Sequence, residues 1–197
     1  VSWARDVYKR QIIWGAKQTG LTIFWPDDGL DEGDILLQKQ IDILPDDTLG
    51  TLYFDKIFPA GVSATLEAID LIRSGEAPKI PQDETKATYE SWCRRANAEI
   101  DWSRSATEVY NLIRGCNPQP GAWTTLDGEE VQIFDCELTA GTGRFGRVCA
   151  IGDTSFTINS GLGGIRISRV RIGKSGKIKS AEFIRDKKIE LGRRFGT

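Results

Sequence analysis

The fold class this sequence predicts is an α/β segment followed by a small closed β-barrel of the oligonucleotide-binding type. Three observations carry that expectation. Two β-rich runs lead into helical periodicity within the first 75 residues. A proline-bearing polar stretch without periodicity follows at residues 76–88 (EAPKIPQDETKAT). After Pro120 the chain breaks into short β-type runs separated by hairpin turns.

Residues 1–11 show neither strand alternation nor a helical stripe. The chain has no methionine, so Val1 is not a translation start, and this opening is expected to be a non-native or unrelated leader. Residues 20–25 (GLTIFW) and 33–43 (GDILLQKQIDI) predict adjacent strands, with the acidic loop PDDGLDE between them at the sheet's end. Asp46, Asp47 and Thr48 offer capping groups before residues 49–58. A second periodic stretch at 61–73 shows apolar Val62, Leu66, Ile69 and Ile72 at helical spacing. Pro59 should interrupt or kink the two, and Gly75 should end the second. The expected organisation is residues 12–75 as an α/β unit, 76–99 as a linker and 100–197 as the barrel domain.

Ser103 or Ser105 can cap a helix running through Arg114, with Val109, Leu112 and Ile113 as its apolar stripe and Gly115 as its stop. Strands are expected at 122–126, 130–134, 147–151, 155–158 and 164–172, with turns at Asp127-Gly128, Gly152-Asp153 and 160–163. Residues 180–191 read as a short terminal helix or extension.

The 197 residues, 40% hydrophobic and 27% charged with net charge −2, describe an ordinary globular chain and exclude a disordered tail or a supercharged nucleic-acid binder. No apolar run approaches the ~18 residues of a membrane span, and no signal-peptide pattern opens the chain, so the cytoplasm is the expected compartment. The four cysteines form no Cys-x-x-Cys pair and meet no histidine, which predicts reduced thiols and no metal site. Lacking histidine, the chain holds no imidazole base, so any chemistry that needs one must draw it from outside these residues. From Arg166 onward cations outnumber carboxylates eleven to three, which suits either phosphate binding or a solvated face. Trp92, Trp102 and Trp123 are expected to pack rather than to stack on bases.

Residues 27–34 (DDGLDEGD) are the most informative stretch. Four aspartates and a glutamate around two glycines admit three readings: turn chemistry, a divalent-cation loop, or catalytic carboxylates. The spacing does not fit the alternate-position calcium loop.

The stretch GLTIFWPDDGLDEGDILLQ resembles the signature of the 10-formyltetrahydrofolate-dependent formyltransferases. LPDDTLGTLY, FPAG, PQDETKATY, IDWSRSA and IRGCNPQPGAW resemble the same family in the same order, from about Ile12 to Trp123, and the likeness weakens beyond. The resemblance implies that residues 12–75 are the C-terminal part of a Rossmann-like catalytic domain and that 100–197 are the family's barrel domain. It implies that Asp31 is the third member of a catalytic Asn, His, Asp set, with the Asn and His upstream of Ile12 and this chain inactive without them. The backbone of Asp27, Asp28, Gly29 and Leu30 would line the folate pterin pocket, with 10-formyltetrahydrofolate as co-substrate and no metal, while Asp34 supports the turn. The amine acceptor expected is that of the methionyl-tRNA type, and initiator tRNA phosphates would face Arg94, Arg95, Arg169, Arg171 and Lys174. Water as acceptor, an amino sugar, or a barrel that only binds RNA are the alternatives. No membrane partner is expected.

Overall fold

The computed structural model describes residues 4–88, 92–173 and 175–196; Lys174 therefore lies outside the described residues. Its first element is a helix, α1 (Ala4–Ile13), where the sequence reading expected none before Ile12. Periodicity failed to reveal α1 because only one stretch of it is apolar. Ile12 is buried against Ile43, Leu49, Leu52 and Ile57, and the rest of the helix is held by tertiary contacts rather than by a long stripe.

Strands β1 (Gln18–Phe24) and β2 (Ile35–Asp42) pair antiparallel, from Gln18 opposite Asp42 to Phe24 opposite Ile35. Thr48 then starts a helical run with a reciprocal cap: its hydroxyl accepts from the Thr51 N–H while the Thr51 hydroxyl accepts from the Thr48 N–H. The run comprises α2 (Leu49–Thr51), a π-helical stretch Leu52–Ile57 and α3 (Phe58–Ser74). Pro59 does not break it. Proline has no N–H for the carbonyl four residues back, and the preceding turn is widened so that the Phe58 N–H reaches the Tyr53 carbonyl, five residues back. Gly75, at φ 78°, ends the helix as expected.

The apolar stripe at helical spacing is not the buried face of α3. Val62, Leu66, Ile69 and Ile72 are exposed, whereas Ala64 and Ala68 are the buried residues of α3. Helix α3 lies on β1 and β2 with its small-residue face. Two strands about 4.8 Å apart cannot cover more than one side of a helix ~10 Å wide, so the bulky side chains face away.

Ser105 caps α4 (Ala106–Gly115) through a Ser105/Glu108 box. Gly115 is this helix's last residue rather than its stop. A Cβ there would come within 2.7 Å of the Ile13 side chain and 3.1 Å of the Lys9 carbonyl, so glycine is required for α1 to approach α4. Arg114, also buried, donates to the carbonyls of Leu44 (3.2 Å) and Asp47 (3.0 Å) and to Asn111 Oδ1 (2.9 Å), tying the second unit to the first.

Eight strands follow among the described residues. β3 (Ala122–Leu126), β4 (Glu129–Ile133), β9 (Arg169–Ile172) and β10 (Ile178–Lys179) form one antiparallel sheet in the order β10-β9-β4-β3. β5 (Cys136–Thr139), β6 (Val148–Ile151), β7 (Phe156–Asn159) and β8 (Gly164–Ile167) form the other, in the order β5-β8-β7-β6. The expected 164–172 strand is two strands, parted at Ser168. The sheets meet at that corner, where the Phe134 N–H reaches the Arg169 carbonyl and the Ser168 N–H the Asp135 carbonyl.

The closed barrel expected from the sequence is not formed by the strand pairing. Between the edges β6 and β3 runs the end of the chain, residues 192–196. The Val148 N–H bonds the Arg193 carbonyl and the Val148 carbonyl accepts from the Gly192 N–H, the Phe195 N–H bonds the Gly146 carbonyl, and the Gly196 N–H bonds the Thr125 carbonyl. An irregular tail thus stands where closure would need a strand ladder. Helix α5 (Ser180–Asp186) is shorter than the expected 180–191. It contributes Phe183, whose ring centroid lies 5.6 Å from that of Phe156, which is 5.7 Å from Phe195 of the tail. All three rings are fully buried.

Because Phe195 brings the tail into this core, Phe195→Ala should cost about 3–5 kcal/mol. Chemical denaturation measures it; a loss below about 1 kcal/mol would mean that the tail only lies on the surface.

Candidate functional site

Residues 25–34 join β1 to β2. The turn is bounded by a bond from the Trp25 N–H to the main-chain carbonyl of Asp34 (2.8 Å). Asp27 Oδ1 accepts from the Gly29 N–H at 3.0 Å, so this carboxylate is engaged in shaping its own turn. Asp27, Asp28, Gly29, Leu30 and Asp31 are all exposed, and the structure brings the five together on one loop.

Asp31 takes φ 60°, a left-handed conformation that costs an ordinary L-residue about 1–2 kcal/mol and that aspartate tolerates better than most. What holds it comes from the linker. The side-chain amide of Gln82 donates to the carbonyls of Asp31 (2.9 Å) and Gly33 (2.7 Å). At net gains of about 1 kcal/mol each, the two bonds match the strain. Next to them Ile80 and Ile35 exchange backbone bonds at 2.7 and 3.0 Å, and the Trp25 indole N–H donates to the Pro78 carbonyl at 2.8 Å. Lys79 lies 5.3 Å from the Trp25 ring centroid. Gly33 passes so close to Trp25 that an added Cβ would fall 1.8 Å from its carbonyl oxygen.

Sequence reasoning missed this clasp. Its segment, PQDETKATY, stood out only as part of a resemblance, because a single glutamine in a polar stretch has no signature of its own. A cavity of about 1000 Å³ lies elsewhere, at the junction of the two units, with Trp14, Lys17, Asp46, Tyr110 and Glu137 among its lining residues and none of the acidic loop. The loop is an open edge rather than the floor of that cavity.

The expected basic residues fall into two groups. Arg95 and Arg171 are linked across β4. Arg95 pairs with Glu130, Gln132 Nε2 donates to Glu130 Oε1 (2.8 Å), and Arg171 Nε donates to Gln132 Oε1 (2.9 Å). The Arg95 guanidinium also covers the Trp123 ring at 5.0 Å, and that indole N–H donates to the Arg95 carbonyl. Lys177, which the sequence did not single out, stands 3.7 Å from the centroid of Phe134, with Arg171 5.4 Å from the same ring. Burial pulls the Lys177 ammonium below its ordinary value; Asp135 opposes that pull while Arg171 and Arg169 add to it. Arg169 is paired with Asp135 (3.0 Å), and Arg94 is exposed before the short turn Arg95–Ala98. The face is therefore cationic and aromatic, but much of its charge is already matched. Trp102 is buried, its N–H on Thr124 Oγ1, so it packs as expected; Trp92 is exposed.

Comparison with known proteins gives a consistent set of relatives. The family model described as "Formyl transferase" matches residues 5–69, and "Formyl transferase, C-terminal domain" matches residues 93–188. The first match takes in most of α1, so residues 5–11 belong with the α/β unit and do not stand apart from it. The human mitochondrial 10-formyltetrahydrofolate dehydrogenase is 47% identical over 127 residues, 64% of this chain and 14% of that protein. Methionyl-tRNA formyltransferase from Moorella thermoacetica is 36% identical over 164 residues, 82% of this chain and 52% of that protein. The chain thus spans only part of the curated relatives it matches. Among solved structures, HypX from Aquifex aeolicus superposes with TM-score 0.75 at 21% identity over 94% of this chain and 34% of its own, which establishes likeness of fold.

The clasp sets opposite expectations for two neighbouring glycine exchanges. Gly33→Ala should lose at least about 2 kcal/mol, since its Cβ meets backbone. Asp31→Gly should stay within about 1 kcal/mol of the parent, because relief of left-handed strain offsets the added freedom of the unfolded chain. Urea midpoints of the two variants read this directly; equal losses would remove the strain assignment at Asp31.

Proposed function

The chain belongs to the formyl transferase family, and we propose that it contributes the carboxylate of a centre that moves the formyl group of 10-formyltetrahydrofolate to an acceptor. The observation that carries this reading is Asp31: an exposed carboxylate on a loop whose Asp31 and Gly33 carbonyls are both held by the Gln82 amide.

The reaction asks for such a group. A nucleophile attacks the formamide-like carbon at N10, the carbonyl oxygen gains negative charge in the tetrahedral intermediate, and the attacking atom must lose a proton. Asp31 orients an imidazole, stabilises its cationic form and helps to remove that proton. The sequence holds no histidine, so the imidazole is supplied by residues outside this chain, and the chain alone does not catalyse transfer. The main chain of Asp27, Asp28, Gly29 and Leu30 reads the edge of the pterin ring. A solved HypX structure holding tetrahydrofolic acid, with TM-score 0.71, supports a folate donor on this fold.

For the acceptor, the reading is methionyl-tRNA. It is supported by a methionyl-tRNA formyltransferase match that runs over 82% of the chain and by the Arg95, Arg171 and Lys177 face, which suits phosphate binding of little sequence preference. A second reading, release of formate to water, is favoured by the higher identity to the formyltetrahydrofolate dehydrogenases, 47% over 127 residues.

Two measurements test these readings. In the full-length protein Asp31→Asn should lower kcat/KM by about 100- to 1,000-fold at unchanged stability, and a loss under about threefold would overturn the catalytic role. Binding of initiator tRNA should weaken as salt rises, and Arg95→Ala or Arg171→Ala should each reduce the salt slope by about 1, the share of a single phosphate neutralised by one arginine. Absent or salt-insensitive binding would instead favour water as acceptor.

A further inference from the structure

The cavity of about 1000 Å³ at the junction of the two units plays no part in the reading above, and its walls have a chemistry of their own. One wall is the turn that leaves α1. Gly15, at φ 74°, lets this turn close on α4, where an added Cβ would stand 3.0 Å from Asn111 Nδ2. Trp14 is left on that wall with 59% of its surface exposed, and Leu138 of β5 lines the cavity with 48% of its own exposed. Tyr110 of α4 adds a half-buried ring, with the Arg114 guanidinium 5.9 Å from its centroid. Carboxylates outnumber cations five to three around the space. Two of the cations are already engaged: Arg114 with the Leu44 and Asp47 carbonyls and Asn111, Arg104 with Asp101 and Glu108. Glu137 pairs with Arg166, whereas the side chains of Asp46, Glu99 and Lys17 meet no partner among the described residues.

We propose that this cavity binds a small organic cation, an ammonium or guanidinium carried on an apolar body. The body covers Trp14, Tyr110 and Leu138, whose apolar surface gains by removal from water. The cation sits against the indole face and the two unpaired carboxylates, Asp46 from the first unit and Glu99 from the second. The field at Tyr110 has the matching sign. Burial is the main cause that pushes its phenol up; Cys136, Asp46 and Glu137 add to it, and Arg114 opposes. An anion of the same shape meets that field and is disfavoured. The volume stands at the upper end of the range of small-ligand sites, about 300–1000 Å³. Because the walls come from both units, the occupant binds only the assembled junction and so stabilises it.

The test titrates the whole chain by calorimetry with two probes of matched body, 1-naphthylmethylamine and 1-naphthalenesulfonate. The amine should bind at least about fivefold tighter than the sulfonate, more weakly as salt rises, and should raise the thermal midpoint. Trp14→Ala should weaken amine binding about 2- to 30-fold, the range a cation over an indole contributes. Asp46→Asn should weaken it about two- to fivefold, as for one solvated charge pair. Both side chains are exposed, so neither change should move the unfolding midpoint of the free chain. Equal affinity for the two probes, no binding of the amine, or parental affinity in either variant would overturn the proposal. Should a variant fail to fold, the two probes on the parent chain decide the matter.

Discussion

The side-chain amide of Gln82, bonded to the carbonyls of Asp31 and Gly33, closes the mouth of the β1–β2 hairpin. A ten-residue connection between two strands has many conformations open to it, and the acidic composition here disfavours collapse through self-repulsion. One glutamine, a backbone exchange between Ile35 and Ile80 and an indole bond from Trp25 to Pro78 select one of them. The linker is thus part of the candidate site, since it dictates which way the loop's main chain turns at Asp31. Gly33 makes the selection possible by letting the returning strand pass the Trp25 carbonyl.

The same logic governs the junction between the two units. α1 lies against α4 because Gly115 has no side chain, and Arg114 crosses to the Leu44 and Asp47 carbonyls. A buried guanidinium is costly unless its donors are satisfied, which makes its carbonyl bonds a demanding geometric constraint. Asp47 answers it indirectly: its carboxylate takes the Lys56 ammonium and the Leu44 N–H, so the turn whose carbonyls receive Arg114 is itself pinned. Residues 78–82 of the linker are tied to the first unit by the Pro78 carbonyl, the Ile35–Ile80 backbone exchange and the Gln82 amide.

Much of this was legible in the sequence. The acidic loop, the strands on either side of it, the Ser105 cap, the Gly75 stop and the Asp127-Gly128 turn, with φ 53° and 81°, all follow from local chemistry that acts over a few residues. The failures share another cause: each depended on a partner distant in the chain. α1 has little periodicity and is made by burying Ile12 in a cluster with Leu49 and Leu52. The Val62 to Ile72 stripe has the pattern of a core face, but a two-stranded sheet offers it nothing to lie on. The barrel reading expected five strands where eight form among the described residues, and the seam is filled by residues 192–196, whose bonds to Gly146, Val148 and Thr125 no local pattern foretells. Gln82 belongs to the same class, as does Lys177 over Phe134.

That Gln82 acts through Asp31, and not merely as a surface bond, is open to a double-mutant cycle in the full-length protein. The cycle would compare kcat/KM for formyl transfer in the parent, Gln82→Leu, Asp31→Asn and the double variant. If the clasp exists to aim the carboxylate, Gln82→Leu lowers kcat/KM in the parent and has no further effect once Asp31 is gone. Equal losses in both backgrounds would contradict it, and Gln82 would then serve only to hold the linker in place.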